Sequence, residues 1–107
     1  MPEINIEKQI FYWRDGAKEA FDIAQKFIRR DEHPLYGLFF LHLALEKILK
    51  AYVCEKKQNT PPRINNLTRL AELAELKLSD EYKAILAAMN EFQMEGRYPD
   101  VLAATHT

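Results

Sequence analysis

The run from Leu38 to Val53, LFFLHLALEKILKAYV, is apolar almost throughout and is crossed by one line of polar residues, His42, Glu46 and Lys50. Their spacing of four stacks them on one face of a helix, with Leu41, Leu45, Ile48, Leu49 and Tyr52 spread over the rest of the circumference. A helix that is apolar over most of its circumference has to be surrounded by partners. The run therefore predicts a nearly buried central helix with one polar stripe, and the other segments as its packing neighbours.

The flanking segments have the patterns such neighbours need. Between Ile6 and Arg30, the positions Ile6, Ile10, Trp13, Ala17, Ala20, Ala24 and Phe27 follow a three-four spacing with charged residues between them, which predicts a long amphipathic first helix. Gly16 inside it costs about 1 kcal/mol relative to alanine unless it serves close packing against a neighbour. Phe11, Tyr12, Phe21 and Ile28 widen the apolar surface beyond one seam; they serve either a second contact, such as another subunit, or the same core. Asp31, Glu32 and His33 form a polar break with His33 as a loop or cap residue. Pro34 suits the first turn of the next helix, where its missing N–H has no intrahelical partner, so the first two helices should form an antiparallel hairpin.

After Lys57, the stretch QNTPPRINN stops the helix and makes the principal loop. Asn65 or Asn66 can cap a short third helix from Leu67 to Glu75, lined on one face by Leu67, Leu70, Ala71 and Ala74. Ser79 is a good N-cap for a fourth helix, with Asp80 and Glu81 in its first turn and an inward stripe of Tyr82, Ile85, Leu86, Met89 and Phe92; Gly96 and Pro99 should end it. The sequence shows no repeat, no strand-like alternation and no glycine-rich phosphate loop. The expected fold is all-α, a single domain over 1–107 forming an up-and-down four-helix bundle with helices near 6–30, 35–57, 67–75 and 80–95.

At 107 residues there is room for one core without staples. The 15 basic residues nearly balance the 16 acidic ones, so bulk charge gives no reason for non-specific nucleic-acid or membrane binding. Cys54 is the only cysteine; an internal disulfide and a cysteine-based metal site are excluded, and a small apolar role on the central helix is expected. The start MPEINIEKQ has neither a basic head nor an apolar run, and Glu46, Lys47 and Lys50 break the apolar run before the ~20 residues needed to span a bilayer. A soluble cytoplasmic protein with no cofactor is expected.

Two constellations could carry chemistry. Glu46 one turn before Lys50 is the stabilising order for an ion pair on a helix, and the row is either a solvated stripe or, given its apolar surroundings, a seam between helices with a defined role. A metal at His42 and Glu46 lacks further convincing ligands. The second constellation is Gly96-Arg97-Tyr98-Pro99-Asp100: Arg97 could hold a phosphate or carboxylate with its planar fork and Tyr98 could stack on a base, or else Arg97 pairs with a carboxylate such as Glu46 and Tyr98 packs on the bundle.

Taken together, Glu46-x-x-x-Lys50-Ala51, a proline-containing loop before Asn66-Leu67, and Phe92-x-x-x-x-Arg97-Tyr98-Pro99-Asp100 resemble the HEPN family, in its RYPD-type branch, over most of the chain. The resemblance implies a bundle of four or five helices, homodimers, nucleotide or RNA binding, and a minimal nucleotidyltransferase as partner in a toxin–antitoxin pair. It places His42, Glu46, Lys50, Arg97 and Tyr98 at the binding site. Two departures matter. Many relatives carry a histidine where Asn65 stands, and the ribonuclease members carry a histidine four to six residues after the arginine, positions filled here by Leu102, Ala103 and Ala104, with His106 too late. Many relatives also continue into a further helix past the point where this sequence ends. The expectation is a non-catalytic module with no catalytic residues and no metal. The alternatives are a metal-independent ribonuclease using Arg97 with His42 or His106, and a purely structural subunit.

Overall fold

The computed structural model describes residues 5–30 and 33–93; within them the chain is all helix, with four α-helices and no strand. Helix α1 runs Ile6–Arg29, α2 Pro34–Lys57, α3 Leu67–Leu73 and α4 Asp80–Met89, which passes into a 3-10 turn, Asn90–Phe92. The caps are those that the sequence offers. Asn5 accepts from the Lys8 N–H, Asn66 from the Arg69 N–H and Ser79 from the Tyr82 N–H, each satisfying a donor that a helix start leaves without an internal partner. Pro34 opens α2 behind His33, which sits in the left-handed region at φ 54° and makes no side-chain cap.

Helices α1 and α2 form the antiparallel hairpin; α3 packs on another side of α2, α4 packs on α3, and the 3-10 turn after α4 returns to α2. The α1 seam is made of small residues, Ala17, Ala20 and Ala24, all buried. They let the two backbones approach closely, and α2 answers with Gly37: a Cβ there would lie 2.8 Å from Ile28 Cγ1 and 3.3 Å from the Ala24 carbonyl oxygen. The main core lies on the other face of α2, where Leu49 and Val53 meet Leu67, Leu70, Ala71 and Ala74 of the α3 segment and Leu86 and Met89 of α4. Cys54 is fully buried against the start of α1, its Sγ 4.0 Å from the Ile6 carbonyl oxygen, and burial pushes its thiol pKa up.

Three expectations change. Helix α4 leaves α geometry at Met89 rather than near Gly96, because Asn90 is drawn into a tertiary role: its Oδ1 accepts from the Leu67 N–H at 2.7 Å, while Phe92 packs edge-on against Phe39. On the same helix Tyr82 and Ile85 face outward, 60% and 48% exposed, because only the Leu86–Met89 side reaches α3. Helix α3 ends at Leu73, before Glu75, which takes the left-handed conformation at φ 54°. There the Leu76 N–H bonds the Ala71 carbonyl and the Glu75 N–H the Glu72 carbonyl, the paired closure usually built on glycine.

Most consequential for the surface is α2 itself. It is not enclosed: Leu41, Leu45 and Ile48 are only partly buried and Tyr52 is 47% exposed. Among the described residues, the short helices lie to one side of α2 and α1 covers the other.

Candidate functional site

The polar row on α2 keeps its helical spacing, and the fold buries it. His42 is 1% exposed and Lys50 8%. Lys50 Nζ donates to Glu46 Oε2 at 2.9 Å and lies 5.2 Å from the centre of the Trp13 ring, so its charge is held by a carboxylate on its own helix and by an aromatic face from α1. Trp13 reaches that place because α1 runs antiparallel to α2. The Trp13 contact is invisible to spacing on one helix and emerges only once the hairpin register is known.

His42 Nδ1 stands 3.8 Å from Glu46 Oε1, close enough for a charge to be felt and too far for a hydrogen bond. Its Nε2 is buried and makes no hydrogen bond among the described residues. Burial lowers the imidazole's pKa below its ordinary value, against the smaller opposing pulls of Glu46 and then of the Asn65 main chain. His42 is therefore a neutral ring at neutral pH. With His42 and Lys50 buried and Lys50 held between Glu46 and Trp13, the row lies at the seam between α1 and α2 rather than as a solvated stripe.

Arg97 and Tyr98, with Gly96, Pro99, Asp100 and His106, lie outside the described residues. Of the five candidate positions, the described structure brings together His42, Glu46 and Lys50. Among the described residues no cluster of three potential metal ligands occurs, and no helix is long and apolar enough to cross a membrane.

A second feature lies on the face that α3 and α4 leave open. Between α1 and α2 runs a groove of about 820 Å³, floored by Leu41, Ala44, Leu45 and Ile48 and walled by Phe11 and Phe21. Phe11 is 71% exposed and Phe21 44%. Neither Phe11 nor Phe21 belongs to the buried core clusters. The rim is charged and mixed in sign, with Glu7, Arg14, Asp15 and Lys18. The sequence marks the α1 aromatics as surplus apolar surface; it does not show that Leu41, Leu45 and Ile48 would lie open with them, because that depends on where the short helices dock.

The family model of the HEPN domain matches residues 10–107. No curated protein and no solved structure matches the chain.

Proposed function

The chain belongs to the HEPN domain family, and from that premise we propose that it is a non-catalytic binding module, one that dimerises and takes a nucleotide, an RNA or a minimal nucleotidyltransferase as its further partner, in the manner of a toxin–antitoxin component. The observation that supports this reading is the open groove between α1 and α2, an apolar surface with Phe11 and Phe21 exposed along its wall. A structural subunit with all its surfaces satisfied would not present it. Catalysis is disfavoured on two counts. The positions where ribonuclease relatives place their histidine hold Leu102, Ala103 and Ala104, and His42, the substitute on α2, is sealed from solvent and so poorly placed to pass a proton to RNA.

The ligand end of the proposal is the Glu46–Lys50 pair with Arg97 and Tyr98 completing it, as the family resemblance implies. Thermal unfolding with a panel of nucleotides and short RNAs tests it, since a ligand at 100 times its dissociation constant stabilises by about 2.7 kcal/mol. Arg97→Ala should remove at least ~1.5 kcal/mol of that binding while leaving the melting temperature of the free protein in place. Unchanged binding in Arg97→Ala, together with a fall in the free protein's melting temperature that Glu46→Gln rescues, makes Arg97 a structural partner of Glu46 and eliminates its role in a ligand site.

A further inference from the structure

The groove has a charge pattern that says what fits it. Successive residues of a helix turn by about 100°, so Glu7, Phe11, Arg14, Lys18 and Phe21 lie within one narrow face of α1. All five line the groove, with α2 contributing only Leu41, Ala44, Leu45 and Ile48 to the same surface. None of Glu7, Arg14 or Lys18 forms an ion pair among the described residues, and Arg14 and Lys18 are like charges one turn apart on the same helix. Acid stands at the N-terminal end of this face and base toward its middle. That order is self-complementary under a two-fold rotation.

We infer that the groove is occupied by a second copy of this chain, its α1 antiparallel to the first, in the register that sets Glu7 opposite Lys18 of the second copy and Phe11 opposite Arg14 of the second copy. The inference rests on the dimerisation proposed above and names its face. Sliding the helices until Phe11 meets the second copy's Phe21 would place Arg14 against Lys18 twice. Sliding them until Arg14 meets the second copy's Asp15 would place Glu7 against Asp22. The first register sets Glu7 against Lys18 of the second copy on both halves of the interface, leaves Arg14 against Phe11 and Asp15 against Ile10, and puts no like charges of the rim opposite each other.

The same register suits the floor. Trp13 lies over Lys50, and a Cβ on Gly16 would meet the Lys47 side chain, so the level of Arg14 on α1 is the level of Ile48 on α2. The second copy's Phe11 therefore arrives beside Ile48 and Leu45, in the apolar floor. A nucleic acid or an anionic membrane finds no match here, because the rim's two acids, Glu7 and Asp15, balance its two bases, Arg14 and Lys18.

Sedimentation equilibrium on the full chain tests this with Glu7→Lys, Lys18→Glu and the two together, folding being checked by circular dichroism. Each single reversal breaks both symmetry-related pairs and should weaken the dimer by about tenfold or more, while the double reversal recreates them and should restore it to within about threefold. Phe11→Lys, which removes the apolar contact and sets like charges against Arg14 on both halves, should abolish the dimer. A wild-type dimer that ignores all of these changes has its interface elsewhere, and this inference falls while dimerisation stands. A wild-type chain that stays monomeric overturns both.

Discussion

His42 carries a pH dependence whose sign follows from its surroundings. Its imidazole is 1% exposed, and burial outweighs the pull of Glu46 at 3.8 Å and of the Asn65 main chain, so the folded protein binds this proton less readily than the unfolded chain does. A group whose pKa is lowered on folding contributes its full stability above the unfolded value, near 6.5, and loses it as pH falls toward the folded value. Urea unfolding should thus show stability declining from about pH 7 downward, by at most about 1.4 kcal/mol per pH unit from this residue, and His42→Leu should flatten the decline. Equal slopes in the two proteins would mean that His42 titrates as if it were in water. The spacing of His42, Glu46 and Lys50 is plain in the sequence. Their enclosure is not, since Trp13 lies 37 positions before Lys50 and meets it only through the register of the hairpin. Arg97 and Tyr98 lie outside the described residues, so that half of the candidate site rests on sequence alone.

Helix α2 divides its apolar residues between two environments, and alanine substitutions should read the division directly. Leu49 is 5% exposed within the core that α3 and α4 cover, so Leu49→Ala should cost about 2–5 kcal/mol in chemical unfolding. Ile48, one residue earlier, lines the groove; Ile48→Ala should cost the monomer clearly less, its loss appearing mainly in association. Similar losses for the two would mean that α2 is rotated from the orientation described. Helix starts were legible because Asn66 and Ser79 are local signals that act within one turn. The end of α4 was not, because Asn90 is committed to the N–H of Leu67, 23 residues away, and no local pattern records such a bond. The left-handed Glu75 escaped notice for a similar reason. The position normally asks for glycine; here its carboxylate stands 3.6–3.8 Å from Lys57 and Lys56 at the end of α2.

At the scale of the whole molecule the chain is broad and thin, 45 × 36 × 23 Å, with α3 and α4 closing one side of the central helix and the other left to α1. The all-helical class and the hairpin were legible because helical periodicity and caps are local. Which side of α2 stays open was not, because it depends on where the short helices dock: they cover Leu49 and Val53, with Leu41 and Leu45 partly packed against the same core and Ile48 left to the groove. That arrangement leaves Phe11, Phe21 and Ile48 on an open surface among the described residues, the one on which the proposed second copy would dock. Sedimentation equilibrium of the unmodified chain, followed from low to high micromolar concentration, tests this most directly. The account predicts a reversible rise to the mass of two chains within that range, whereas the mass of a single chain throughout would contradict it.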